Sequence, residues 1–383
     1  MKYIKILLFS LFALCACMTL PAQDIHFSMF DLSPLTMNPA HTGSFLGTIR
    51  VGGIHRTQWQ SSSADFATTS LYVDSPILAV GKKKRDWIGI GMTLLNDVAG
   101  RERAPNNRSN ITSGGLTTSF AIPSAAFHKV LDKKGNYVLT FGVQIGAVSR
   151  NFDVSSDILT PDGAAASLGF QVEDIELDQL VTRAQVDQNS GLNLLNSIPF
   201  TDVSTGLLLT SKINDDSRLV VGAAIGHIVK IGEYSIINPV RDTSSMAPPP
   251  PDPDENDQTL KRPATIKFHA NLDQQITEKI SVHPGLFFQT TKGLTEMMLH
   301  ANVGYQLNDD FQVLGGLGFR LANAGILMGG VQYKDWRVRM AYDLNVGQVA
   351  QVGLQNTFEI GASYIIKIFQ EPKVDPVILC PKF

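Results

Sequence analysis

The chain is short of cysteine, of any surplus of one charge and of long apolar runs, and each shortage removes a class of protein. Only three cysteines occur in 383 residues. Two of them, Cys15 and Cys17, lie close to the start and the third is Cys380. No disulfide framework follows from that distribution, and there is no paired Cys-x-x-Cys metal motif. Lys+Arg 32 against Asp+Glu 35 leaves a net charge of −3, without the basic surplus that neutralises a phosphate backbone. Nucleic acid is not an expected partner. Beyond residue 20 no run of about 18 apolar residues exists, so no membrane helix is expected. The glycines of Gly315-Gly316-Leu317-Gly318 sit in a strand-like segment with no helix after them, unlike a phosphate loop. His-Glu-x-x-His and Gly-x-Ser-x-Gly are missing too. No acid, base or nucleophile set can be assembled, and neither catalysis nor a cofactor is expected.

What is present begins with an export signal. Lys2 and Lys5 precede an apolar stretch from Ile6 to Leu20, and Leu20-Pro21-Ala22-Gln23 supplies a cleavage site, giving a signal peptide over 1–22. Leu14-Cys15-Ala16-Cys17 resembles a lipoprotein box with Cys17 as the acylated residue. The plainer reading is that both cysteines leave with the signal. An exported chain without an apolar helix can enter a membrane only as strands.

The body of the sequence alternates at period two, which puts successive side chains on opposite faces of a sheet. Ala264, Ile266, Phe268, Ala270 and Leu272 form one apolar stripe, opposed by Thr265, Lys267, His269, Asn271 and Asp273. Tyr137, Leu139, Phe141, Val143, Ile145 and Ala147 form another, opposed by Thr140, Gly142, Gln144 and Gly146. Trp336, Val338, Met340 and Tyr342 form a third, opposed by Arg337, Arg339 and Asp343. Strands are expected near 48–59, 66–74, 86–96, 109–121, 136–149, 202–212, 218–229, 263–274, 279–290, 295–306, 311–320, 325–334, 335–344 and 356–369. These make about fourteen, and a bacterial outer-membrane barrel needs an even number. Glycine, at 32 residues, falls often within these segments, where it allows bends and close packing in a curved sheet.

Connection lengths test that reading, because such barrels join strands by short periplasmic turns and longer outer loops. Asn214-Asp215-Asp216-Ser217, Gln275 to Lys279, Leu307 to Asp310 and Lys334-Asp335 are short and polar. Residues 150–201 and 230–262 are the two longest connections and fall on the other side. Segments 75–85 and 122–135 fit less well, being long for periplasmic turns. A soluble sandwich or propeller would show a blade repeat or avoid such long connections. The expectation is therefore an all-β transmembrane antiparallel barrel over 47–369, preceded by a periplasmic segment 23–46 and followed by a periplasmic tail 370–383.

Within the long connections, Val172 to Val181 alternates acidic and apolar residues and suggests a short helix. Pro248 to Pro251 followed by Asp252-Pro253-Asp254-Glu255 suggests an extended, solvated stretch. Parity also places His269, His283 and His300 on the lumen side of three consecutive strands, with Glu296 near. Polar lining is the plain reading of these four, and a metal site the sharper one.

Motifs at the two ends are more specific. Asp24-Ile25-His26-Phe27-Ser28-Met29-Phe30 follows the signal, then Asn38-Pro39-Ala40-His41-Thr42-Gly43, then Arg56-Thr57-Gln58-Trp59. Asn38-Pro39 is a turn signal, and Gly43 can supply left-handed geometry. Trp59 suits a membrane interface. Arg56 and Gln58 share lumen-facing parity, and Gly52-Gly53 offers a place for a bulge that would shift the register. Near the other end stand Ala341-Tyr342-Asp343, Phe358-Glu359-Ile360-Gly361 and Cys380-Pro381-Lys382-Phe383. Glu359 to Ile366 also resembles the last-strand signal read by barrel-insertion machinery. In this order the motifs resemble the PorP/SprF family. Asn38, Pro39, Ala40, Gly43, Arg56, Gln58, Trp59, Tyr342, Asp343, Glu359 and Gly361 carry the likeness, and structural roles are expected for them. The resemblance implies an outer-membrane protein of the type IX secretion system. It would associate with other secretion components and with an adhesin bearing a C-terminal signal domain, and would contact outer-membrane lipid. The alternative from the residues alone is a pore or transporter with a polar lumen.

Overall fold

A computed structural model of the chain describes residues 25–58, 64–80, 85–102, 115–153, 200–231, 264–291, 294–321, 323–346 and 356–368. The remaining residues are left aside. They include the signal, Trp59, most of the two long connections with their acidic and proline-rich stretches, and the tail from 369.

Fourteen antiparallel strands close into one barrel. They are β1 (Ile49–Gln58), β2 (Ala64–Val80), β3 (Asp86–Glu102), β4 (Gly115–Val130), β5 (Tyr137–Asp153), β6 (Phe200–Lys212), β7 (Ser217–Ile231), β8 (Thr265–Gln275), β9 (Ile280–Thr291), β10 (Leu294–Asn308), β11 (Phe311–Arg320), β12 (Ala324–Tyr333), β13 (Trp336–Asn345) and β14 (Thr357–Ile366). Each pairs with its sequence neighbours, and β14 pairs with β1 to shut the seam. Closure gives each strand a hydrogen-bonded neighbour on both edges, the condition for spanning a bilayer with sheet. No helix among the described residues is long and apolar enough to cross a membrane.

The alternation sets the two faces of the wall. Leu139, Phe141, Ile145, Phe268, Val338, Met340 and Tyr342 are exposed on the outside, while Thr140, Gln144, His269, Arg339 and Asp343 are buried on the inside. Exposed Tyr305, Tyr333 and Trp336 gather at the short-turn rim. Trp336 stacks on Tyr364 with ring centroids 4.4 Å apart, as in an interfacial aromatic girdle. At the same rim Lys212 lies 2.6 Å from Asp215 and lowers its pKa, and Lys334 lies 3.6 Å from Asp310, which raises that of the lysine.

The two segments too long for periplasmic turns prove to be mostly strand, since β2 continues to Val80 and β4 to Val130. Each contains a proline, which has no N–H to give to the ladder. Register with β3 slips beside Pro76, and the β4–β5 ladder skips Ile122 and Pro123 between the Ala121 and Ser124 pairs. The turns left behind are short. Gly52-Gly53 carries no bulge, because register runs unbroken through both residues on either side of β1. A larger irregularity lies between β6 and β7, where register shifts between Val203 and Thr205. There His227 adopts φ 58° and sits 2.5 Å from Asp202.

The N-terminal segment differs most from expectation. Residues 25–46 do not hang in the periplasm but fold inside the barrel. Their apolar side chains have a lumen to fill, and the inner wall offers apolar and polar partners to match.

Candidate functional site

The interior is built around that segment. A 3-10 turn (Phe30–Leu32), a one-turn α-helix (Pro34–Met37) and a second 3-10 turn (Pro39–His41) keep it compact. Phe27, Met29, Phe30, Leu32 and Met37 form a buried cluster with inward-facing Ile54, Phe287, Met298, Ile326, Met328 and Ala341. Burying a large apolar side chain contributes about 1.5–3 kcal/mol relative to water, so this cluster holds the segment in place. Phe30 also lies flat on His300, with centroids 4.5 Å apart and planes 2° from parallel.

A charged lock sits beside the apolar cluster. Glu359 accepts the N–H of Ser28 at 2.7 Å and that of Met29 at 3.0 Å. Ser28 Oγ donates to Asp343 at 2.7 Å and accepts from Arg320 at 2.6 Å. Arg320 lies 2.9 Å from both Asp343 and Glu296, and His26 lies 2.9 Å from Glu296. Arg56 is 3.5 Å from Glu359 and donates to the His26 carbonyl at 2.5 Å. Two guanidinium groups and three carboxylates from five strands thus converge on three residues of the segment. A short distance away Asp31 pairs with Arg339, which also reaches Asn302 at 3.1 Å.

The Asn38 to Gly43 motif is the second anchor. Asn38 accepts the Ala40 N–H at 2.9 Å, capping the 3-10 turn. Its amide nitrogen reaches the carbonyls of Leu207 and Ala223 at 3.0 and 3.3 Å and His269 Nε2 at 3.2 Å. Gly206 and Gly222 leave the room for this amide, and Gly142 leaves room for the Pro39-Ala40 backbone; a Cβ at any of the three would overlap it. Gly43, at φ +70°, donates to Asp74 at 2.7 Å and accepts from the Trp87 ring N–H at 3.1 Å. Arg50 grips the same Asp74 through two nitrogens at 2.9 and 2.7 Å. Thr42 completes the anchor, its hydroxyl 2.9 Å from Ser124 and its carbonyl 2.8 Å from His128 Nε2.

These contacts bring together most of the residues singled out in the sequence. Asn38, Pro39, Ala40 and Gly43 are the segment's half of the second anchor. Arg56, Asp343 and Glu359 are the wall's half of the lock. Gly361 makes room for the Leu32 side chain, which a Cβ there would press at 3.0 Å. Gln58 ends β1 two residues beyond Arg56, and Tyr342 faces outward and is exposed. Trp59 lies outside the described residues. His269, His283 and His300 do line the lumen, but each is engaged separately. His269 meets Asn38, His283 lies 3.1 Å from Asp273 and 2.9 Å from Ser281, and His300 meets Phe30. Glu296 belongs to the lock. Among the described residues no group of three His, Cys, Asp or Glu side chains is placed to hold a metal ion. The inward apolar residues Ile54, Phe287, Met298, Ile326 and Met328 were missed in the sequence. Their signal was legible in principle, since an apolar residue at lumen parity needs something to pack against.

A polar cavity lined by Asp31, Asp273, His283, His300, Arg337 and Arg339 holds about 10 Å³, room for about one water.

Fold and interior together define an outer-membrane β-barrel that carries its own N-terminal segment as an internal plug. Comparison with known proteins adds the family. The family model described as type IX secretion system membrane protein PorP/SprF matches residues 19–364, and the chain belongs to that family. It is accordingly a multi-pass protein of the outer membrane. No curated protein matches it. Among solved structures it is similar to the toluene transporter TbuX of Ralstonia pickettii, at 10% identity over 88% of this chain and 94% of that one, TM-score 0.47. The toluene transporter TodX of P. putida is similar at 11% identity over 87% and 93%, TM-score 0.45.

Proposed function

We propose that this chain is a nonenzymatic docking component of the type IX secretion system. In this reading it supports export or surface attachment of large adhesin-type substrates by receiving their C-terminal signal domains. Family membership supplies the pathway, and the observation that carries the docking role is the filled lumen. A barrel whose interior is packed with its own residues is a rigid frame for presenting loops, and a poor conduit. The long connections 154–199 and 232–263 leave the wall at the rim opposite the short turns, the outer face of such barrels, and are the surfaces available to partners there. The apolar outside of the wall suits direct contact with outer-membrane lipid.

The inward polar residues that favour a pore have other work. Lys267 donates to the Thr36 carbonyl at 3.3 Å, and Arg339 pairs with Asp31. Both hold the plug instead of lining a water-filled path. Deletion of the gene with export of surface adhesins measured, alongside pull-down of the tagged barrel, tests the proposal. Loss of an adhesin from the surface and recovery of secretion subunits are expected. Unchanged export and a barrel recovered without any secretion subunit would refute it.

A further inference from the structure

Outward-facing polar side chains stand in one unbroken row across β2, β3, β4 and β5. Thr69 pairs with Asn96, Asn96 with Ser119 and Ser119 with Ser149. Asn96 donates to Ser119 Oγ at 2.9 Å, and on β1 His55 Nδ1 extends the row, 2.8 Å from Thr69 Oγ1. One step nearer the short turns the outward row is Leu71, Leu94, Ala121 and Ala147, paired in the same order. The two leucines stand out from the wall at 54% and 49% exposure, while the two alanines project only a methyl group. The fall from leucine to alanine leaves a groove of about 490 Å³, lined by both rows. Its back is closed, because the intervening Leu95, Phe120 and Val148 point inward and pack against Ile25.

Depth decides what can reach this groove. Thr69, Asn96, Ser119 and Ser149 stand ten to twelve residues from the short-turn ends of their strands, at Val80, Asp86, Val130 and Tyr137, and a tilted strand crosses hydrocarbon in about 9–11 residues. The polar row therefore marks the outer edge of the hydrocarbon, with the groove just beneath it. The ten-residue strands β13 and β14 instead stay apolar on the outside as far as Leu344 and Phe358, next to their outer ends.

We propose that the groove binds a lipid of the outer leaflet. One acyl chain lies on Ala121 and Ala147 beside Leu71 and Leu94, and the lipid's ester carbonyls and hydroxyls meet Thr69, Asn96, Ser119 and Ser149. A lipid changes from apolar chain to hydrogen-bonding groups over the same step in height as this wall does. Among the described residues lining the groove none is charged, so carbonyl and hydroxyl groups, not phosphate, are what the row recognises. A purely apolar protein surface would cover the floor and take water from the row without replacing its hydrogen bonds.

Native mass spectrometry of the full chain, purified in detergent and titrated with dioleoylphosphatidylethanolamine, tests this, each variant first being checked for the heat-modifiable gel mobility of a folded barrel. The parent is expected to hold a single lipid more tightly than any that follow. Ala147→Phe fills the groove from the lipid side, where added bulk meets no interior packing, and should abolish that tight step. Thr69→Val with Asn96→Leu keeps the groove and removes hydrogen-bonding groups, so the step should weaken by about three- to tenfold, as the loss of a net hydrogen bond does. Leu317→Phe, on the outer face of β11, should bind as the parent does. A parent without a tight first step, or one whose step survives Ala147→Phe, overturns the proposal and leaves the groove to an apolar protein partner. A step unmoved by Thr69→Val with Asn96→Leu overturns the part given to the polar row. Equal weakening by Leu317→Phe would mean unspecific coating of the wall, and would overturn the site as well.

Discussion

Glu359 shows how much one lumen side chain decides. Its two oxygens take the consecutive N–H groups of Ser28 and Met29, 331 and 330 residues earlier in the chain, while Arg56 stands 3.5 Å off. Charge-assisted bonds of this kind are roughly twice as strong as neutral ones. Removing one member of a buried charged network costs about 3–5 kcal/mol, mostly through the charge left alone. Glu359→Ala is therefore expected to loosen residues 25–32 while the strand ladder keeps the wall closed. Limited proteolysis of the folded barrel in detergent checks it. The variant should be cut within 25–46 at a protease dose that spares the parent, with heat-modifiable mobility retained. Equal resistance in the two chains would mean that the apolar cluster alone holds the segment. Glu359→Gln, which keeps an acceptor but strips the countercharge from Arg56, should fall between them.

At the level of elements, wall and plug are separate achievements of the sequence. The seam joins Ile49 to Gln58 with Thr357 to Ile366 in one unbroken register and uses no residue of the plug. A chain lacking residues 25–46 should still close its barrel and should change from silent to conducting in planar bilayers. Silence from a correctly folded deletion variant would mean that the long connections also block the path. The same separation explains what could be read in advance. Strands such as β11 were legible to the residue because their outer face meets lipid, which keeps apolar side chains such as Val313, Leu317 and Phe319 at one parity. Pro76 and Pro123 broke that rhythm and hid the ends of β2 and β4. The plug was illegible as a plug, since its short turns have no period and its partners are scattered from about 30 to over 300 residues along the chain. Half of each contact was nevertheless visible. The motif residues Asn38 and Gly43 were noted at one end and Asp343 and Glu359 at the other, without anything in one dimension to join them.

For the molecule as a whole, the question is whether the plug stays in place while the barrel works. A docking frame needs no open lumen, whereas a conduit must release the segment at some stage. Ser33 and Ser70 allow the two to be separated, because their hydroxyl oxygens are 3.2 Å apart, both residues are buried, and one belongs to the plug and the other to β2. Cysteine is the smallest available change from serine, and paired sulfurs bond at about 2.05 Å when their Cβ atoms lie within about 4.5 Å. In a Cys380→Ser chain, Ser33→Cys with Ser70→Cys should oxidise to a staple fixing plug to wall, seen as a gel shift reversed by reductant. The docking reading expects adhesin display by cells carrying the oxidised staple to equal that of the parent. Display lost on oxidation and restored by reductant would show that the segment must move, and the lumen would then become the working part of the protein.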